Sequence, residues 1–164
     1  MVKTVYLGLG SNIGSRRNNI NCALAFLQAK LAIIKTSSIY ETSAVGGVKQ
    51  RNFFNCAVKA KTKLSPYELL KFVKGIEGAM GRAKTVKWGP RLIDIDILFY
   101  SDKVIKGSNT LTLPHKEVLN RLFVLTPLND IAANFTHPVI RQKIKTLYNN
   151  ALLTLPRQKV KIIA

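Results

Sequence analysis

Residues 2–9 alternate apolar and polar side chains and are rich in β-branched types, a period of two that predicts a first strand. The glycine-rich run Gly8-Leu9-Gly10-Ser11-Asn12-Ile13-Gly14 follows, and Gly10, Ser11 and Asn12 are expected to form a tight turn after that strand. Over 16–30, Ile20, Leu24 and Leu27 recur at helical spacing. Residues 31–40 predict a second strand, 41–52 a loop with Gly46 and Gly47, and 53–60 a third strand. Ser65-Pro66, with Glu68 three residues after the serine, has the pattern of a capping box. The helix it opens runs through Leu69, Leu70, Val73 and Ile76 to about Met80. Residues 81–91 keep no period and read as a surface loop, and 92–100 as a fourth strand. Beyond 101, short strands are expected around 104–105 and 110–113, with helical turns near 128–133 and over 138–152. The order β-α-β-β-α-β predicts an α+β fold. That fold is a ferredoxin-like antiparallel sheet with helices packed on one face, followed by a C-terminal extension of short strands and helices. With no repeat and no long linker, residues 1–164 are expected to form a single domain.

Composition narrows the function. Hydrophobic residues make up 47% of the 164, which excludes a mostly disordered chain. No stretch approaches the ~20 apolar residues of a membrane span. The N-terminal residues show a strand pattern rather than a signal peptide. Cys22 and Cys56 each sit in an apolar run and are expected to be buried free thiols, from which a cytoplasmic location follows. The net charge of +18, from 26 Lys and Arg against eight acids, points to an anionic partner: nucleic acid, a nucleotide or a phosphorylated metabolite. In so basic a chain, two acids two residues apart call for a reason.

Asp94-Ile95-Asp96 is that pair. On a strand, residues i and i+2 share a face, so Ile93, Ile95 and Ile97 face the core and the two aspartates stand together on the other side. Carboxylates so placed repel unless a cation lies between them. Mg²⁺ suits them, being commonly held by one or two carboxylates plus substrate phosphates. A solvated strand face paired with nearby Lys or Arg is the plainer alternative. The preceding loop, with Arg82, Lys84, Lys87 and Arg91 and no acid, favours the metal. Arg82 and Arg91 suit bidentate grips on phosphate oxygens, whereas Lys84 and Lys87 read equally well as looser charges or solvated side chains. Trp88, in the middle of the loop, offers a ring to close over a planar ligand. His115 after Pro114 is placed to donate to a phosphate or nucleophilic oxygen, although a lone histidine is more often structural; His137 before Pro138 is read as structural. Gly8-x-Gly10 fails the dinucleotide fingerprint, because Ile13 stands where the third glycine belongs and no acid follows about 20 residues on. These residues together predict a Mg²⁺-dependent enzyme that moves a phosphate-type group from ATP to a small planar acceptor.

Over almost its whole length the chain also resembles the 6-hydroxymethyl-7,8-dihydropterin pyrophosphokinases of folate biosynthesis. The resemblance rests on Gly10-Ser11-Asn12, Phe53-x-Asn55, Gly81-Arg82 and, most specifically, Trp88-Gly89-Pro90-Arg91-x-Ile93-Asp94-Ile95-Asp96. Pro114-His115, Asn120-Arg121-x-Phe123 and Pro127-Leu128 continue it in order. That family moves the terminal pyrophosphate of ATP as one unit to the pterin hydroxymethyl group and releases AMP. The resemblance implies that Asp94 and Asp96 hold two Mg²⁺ ions together with ATP. It implies that Arg82, Arg91, His115 and Arg121 act on the moving pyrophosphate, and that Glu77, Lys84, Trp88, Ile97 and Thr112 join His115 and Arg121 in the ATP site. Thr42, Val45, Phe53, Asn55 and Phe123 would bind the pterin. The implied partners are ATP and the dihydropterin, with no nucleic acid, no membrane, and a monomeric enzyme. Lys116 and Thr110 stand where the family often has Tyr and Arg, Lys84 replaces an Arg, and Phe53 replaces a Tyr.

The competing expectation is an RNA-recognition module. It has the same element order, and Arg51-Asn52-Phe53-Phe54-Asn55 faintly echoes its aromatic strand. Against it, adjacent Phe53 and Phe54 point to opposite faces, and Asp94 and Asp96 would repel a phosphate backbone without metal.

Overall fold

The computed structural model describes residues 1–44, 49–81 and 89–163. Strand β1 (Lys3–Ser11) leads into helix α1 (Arg16–Leu27), then strands β2 (Ala32–Thr36), β3 (Ile39–Thr42) and β4 (Phe53–Thr62). Helix α2 (Pro66–Ala79) and strand β5 (Asp94–Tyr100) follow. Beyond them come a 3-10 turn at Val118–Asn120, helices α3 (Leu122–Ala132) and α4 (Ile144–Thr154), and strand β6 (Val160–Ile163). The six strands form one antiparallel sheet in the order β5-β1-β4-β3-β6, with β2 also paired to β4. This is the α+β, ferredoxin-like arrangement that the element order predicts, with β1 and β4 in the middle.

Alternation along β1 explains the layering. Val5, Leu7 and Leu9 are buried on one face with Ile20 and Leu27 of α1 and Leu69 and Val73 of α2. Tyr6 points the other way, into a second core with Leu98, Phe99, Leu125, Leu128, Ile144 and Leu147. Helices therefore cover both faces, not the one expected from the sequence, because the second face carries large apolar side chains of its own that need cover. A register shift between Tyr6 and Leu7 gives β5 an extra residue opposite β1. Adjacent Leu98 and Phe99 consequently both pack into the second core, the usual result of a bulge. The other end of that face, where β1 has only Gly8 and Gly10, keeps an open pocket.

Local chemistry sets the element ends. Ser65 Oγ accepts from the Glu68 N–H at 3.4 Å and Glu68 Oε2 from the Ser65 N–H at 2.7 Å, so the expected capping box forms at α2. The strand expected over 31–40 divides into β2 and β3 at Ser37, whose hydroxyl accepts the Ala57 N–H at 2.8 Å in place of a backbone carbonyl. The turn expected at 10–12 is not there: Gly10 and Ser11 extend β1. The strands expected near 104–105 and 110–113 reduce to a single bridge between Ile105 and Leu113. Helix α3 begins six residues before the expected turn and carries Pro127 inside it. Helix α4 begins at Ile144, and β6 was not expected at all. Cys56 is buried as expected, whereas Cys22 is exposed on α1. Among the described residues no helix is long and apolar enough to cross a membrane.

Candidate active site

The sheet register builds the site. Asp94 on β5, Gly10 on β1 and Asn55 on β4 lie side by side in one row, and Asp96, Gly8 and Ala57 lie in the next. Ile93, Ile95 and Ile97 face the core beneath α1 and α2, the helix-side core, so the aspartates share the opposite face, as their spacing predicts. With glycine at both central positions, no side chain separates the carboxylates from Asn55. The trough is walled by Phe53 on β4, by Arg91, and by Arg121, Phe123 and Val124 at the start of α3. The site residues Phe53, Asn55, Arg91, Asp94, Asp96, Arg121 and Phe123 thus meet in one pocket.

Several polar groups in the pocket and at its edge have fixed partners. Asn55 Nδ2 donates to Thr42 Oγ1 at 2.7 Å, in a buried contact. This fixes the amide so that its carbonyl oxygen lies over Gly10. Arg91 Nη1 is 2.8 Å from Asp94 Oδ1. Asp96 is pushed above the usual carboxylate range, first by burial and then by the charge of Asp94, with His115, Lys74 and Arg121 pulling the other way. His115 Nε2 lies 3.9 Å from Asp96 Oδ2. Its Nδ1 accepts the Glu117 N–H at 3.3 Å, so in the neutral ring Nε2 carries the proton and faces the carboxylate. Burial lowers the His115 pKa against the opposing pull of Asp96. Burial also pushes the Cys56 thiol up to about 12; it packs in the core on the opposite face of β4 from Asn55, protonated and out of the chemistry.

Other expected site residues fall elsewhere. Ile97 is buried in the helix-side core. Glu77 is also buried on the helix side, where its Oε1 accepts from the Ile95 N–H at 2.7 Å and from Lys74 Nζ at 3.0 Å. Thr112 lies next to the Ile105–Leu113 bridge, outside the pocket lining. Val45, Arg82, Lys84 and Trp88 lie outside the described residues.

Asn12 is the residue that sequence reasoning missed. Buried at the end of β1, it donates through Nδ2 to Gln50 Oε1 at 2.9 Å and to the Arg51 carbonyl at 3.1 Å. Its Oδ1 accepts the Arg91 N–H at 2.7 Å, and its own N–H donates to the Arg91 carbonyl at 3.0 Å. One amide therefore ties the central strand to both segments that wall the pocket. Its place in Gly10-Ser11-Asn12 was the available signal, but a turn was the wrong context for it.

The two aspartates suit a hard cation. They are partly exposed oxygen donors on one face, with a neighbouring glycine trough where substrate phosphates could complete the shell. Among the described residues no group of three or more His, Cys, Asp or Glu could hold a metal, so the protein offers a carboxylate pair rather than a closed cage. A pair that leaves coordination positions to substrate oxygens is the arrangement Mg²⁺ commonly takes.

Comparison with known proteins agrees. The chain is 47% identical over 142 residues to the 2-amino-4-hydroxy-6-hydroxymethyldihydropteridine pyrophosphokinase of Aquifex aeolicus, covering 87% of this chain and 88% of that one. It is 44% identical to the Bacillus subtilis protein of the same name, covering 80% and 79%. It is also 47% identical to the bifunctional protein FolKE of Lactococcus lactis, covering 81% of this chain but only 38% of the larger protein. A Plasmodium falciparum HPPK-DHPS crystal structure with pterin and p-hydroxybenzoate shares the fold, with a TM-score of 0.76 at 20% identity. It covers 96% of this chain and 43% of that one. The model of the 7,8-dihydro-6-hydroxymethylpterin-pyrophosphokinase (HPPK) family matches residues 6–133, and the chain belongs to that family.

Proposed function

We propose that this chain transfers pyrophosphate from ATP to the hydroxymethyl group of 6-hydroxymethyl-7,8-dihydropterin, releasing AMP, as a step of folate biosynthesis. The observation that carries this is the Asp94–Gly10–Asn55 row, which sets a carboxylate pair and a fixed amide on either side of one open trough. The Asn55 carbonyl, oriented by Thr42, accepts from N–H groups on the pterin edge, and Phe53 and Phe123 flank the ring. Val45 is assigned to the same subsite.

Asp94 and Asp96 would hold two Mg²⁺ ions together with ATP; when bound, these would neutralise the phosphates and make the substrate hydroxyl a better nucleophile. Arg91, in contact with Asp94, is near enough to turn onto the phosphates as the nucleotide arrives. The His115 Nε2–H donates to a phosphate oxygen beside Asp96, and the Arg121 guanidinium adds positive charge from the opposite wall. Arg82 takes up charge on the transferring group. Lys84 and Trp88 are assigned to the nucleotide site; Glu77, on the other side of β5, acts only through the backbone it bonds, and Ile97 and Thr112, away from the pocket lining, bring no side chain to it. The hydroxyl oxygen bonds to the β-phosphorus as the bond from that phosphorus to the bridging oxygen breaks; that oxygen leaves with AMP, and the hydroxyl proton passes to solvent. The RNA-binding alternative is not favoured: Phe53 lines the pocket while Phe54 packs toward the helix-side core, so they form no common stacking surface.

Incubation with ATP, Mg²⁺ and the dihydropterin alcohol tests the reaction. AMP is expected in step with acceptor consumption, whereas ADP would show single-phosphate transfer and overturn the assignment. Asp94→Ala and Asp96→Ala should each lose roughly 10²–10³ in turnover, the scale of losing one charge-stabilising group, with little change in thermal stability.

A further inference from the structure

Helix α3 delivers Arg121 and Phe123 to the pocket, yet it has no cap of its own. Arg121 occupies the capping position in an extended conformation, with φ −126° and ψ 104°, and makes no side-chain capping bond. No acid stands in the first turn. The Leu122 N–H is accepted instead by Gln158 Oε1 at 2.8 Å, from 36 residues further along the chain. Gln158 Nε2 donates in turn to the Asn120 carbonyl at 2.9 Å. A single amide thus grips the backbone on both sides of Arg121, much as a neighbouring strand would.

We propose that Gln158 is a positioning residue for Arg121, setting the angle at which the guanidinium enters the nucleotide site. The inference rests on the role given to Arg121 above. Gln158 is itself fixed from both directions. Its N–H donates to the Leu155 carbonyl at 3.1 Å, in the turn that follows α4, and Leu155 packs on the second core. Two residues later β6 begins, with Val160 paired to Thr42, the residue that orients Asn55. The 155–163 segment therefore braces both walls of the pocket from outside, although it lies beyond the residues matched by the family. Arg121 Nε is 3.8 Å from Glu117 Oε2 and its guanidinium 5.6 Å from the centre of the Phe123 ring, so it shares its wall of the pocket with these neighbours.

The test is a double-mutant cycle of Gln158→Ala and Arg121→Ala, read as kcat/KM for ATP well below the melting temperature. Gln158→Ala is expected to lower kcat/KM roughly threefold to thirtyfold, within the range of couplings between neighbouring residues. In the Arg121→Ala background the same change should cost less than about twofold, since there is no guanidinium left to position. If Gln158→Ala does not fold, Gln158→Met serves in the same cycle, because it keeps the length of the side chain, adds no charge beside Arg121 and loses both amide bonds. Equal losses in both backgrounds, or none in either, would overturn the proposal while leaving the role of Arg121 standing. A near-normal rate for Arg121→Ala alone would overturn that role, and this one with it.

Discussion

Gly10 occupies the point where the two halves of the site meet. A methyl group there would lie 2.8 Å from Asn55 Oδ1 and 3.6 Å from Phe53 Cδ1. The first distance is shorter than real contacts allow, and Asn55 cannot simply turn away because Thr42 holds its other end at 2.7 Å. At Gly8 an added methyl meets only Leu98, at 3.5 Å, an ordinary contact. The two glycines therefore differ as tests. Gly10→Ala is expected to raise KM for the pterin roughly tenfold or more, the effect of about 1–3 kcal/mol of overpacking, with a smaller change in KM for ATP. Gly8→Ala should fold with a melting temperature close to that of the original chain. Steady-state kinetics with each substrate varied in turn decide the point. Equal effects on both KM values would mean that Gly10 serves the strand rather than the Asn55 amide.

At the scale of elements, His137 organises the turn between α3 and α4. Its Nδ1 accepts the Val139 and Ile140 N–H groups, each at 3.2 Å, and its buried ring packs edge-on against Phe99 at 5.3 Å. Its structural assignment from sequence agrees with this geometry. Both bonds require an unprotonated Nδ1, and burial lowers the pKa below its ordinary 6.5. The stabilising contribution is therefore present above about 6.5 and is lost as pH falls from there through the depressed folded value. Melting temperatures should fall on acidification through that window. His137→Gln should be less stable at pH 8 yet show a shallower acid slope. The difference between the two profiles separates His137 from His115, whose pKa burial also lowers. Parallel profiles would remove His137 as the titrating group.

The elements also show what was legible in the sequence. The strands expected over 2–9, 53–60 and 92–100, the α2 capping box and the shared face of Asp94 and Asp96 follow from local geometry and agree with the structure. The full length of α3 was obscured by Pro127, and β6 is too short to stand out. The glycine trough and the Asn12 clamp depend on the register between β1, β4 and β5, which no single segment specifies. The branch of helices over the second face was missed for a related reason: Leu98 and Phe99 share that face only because of the bulge opposite Tyr6.

For the whole molecule, the charge of +18 has a physical consequence beyond attraction of ATP. Few acids are available, and most are already engaged. Glu41 pairs with Arg16 at 2.8 Å, Glu77 with Lys74, Asp94 with Arg91, and Glu68 closes the α2 capping box. Asp130 accepts from Tyr40 Oη at 2.8 Å. The cations left on the surface outnumber any acids that could pair with them, so the folded state holds like charges closer together than the unfolded chain does. Salt screens this repulsion, since the Debye length shrinks to about 8 Å at physiological ionic strength and to about 3 Å at 1 M. Ion pairs such as Arg16–Glu41 are partly buried and are screened much less by the same salt. Self-repulsion is therefore expected to dominate, and the melting temperature should rise by several degrees between about 20 and 300 mM NaCl. The association rate for ATP should fall over the same range, because the attraction of the basic surface for a polyanion is screened with the repulsion. Thermal melts and stopped-flow binding at constant pH measure the two effects on one preparation. A melting temperature that falls with salt would mean that the ion pairs outweigh the net charge; an ATP association rate indifferent to salt would mean that the surplus cations lie too far from the pocket to steer the nucleotide.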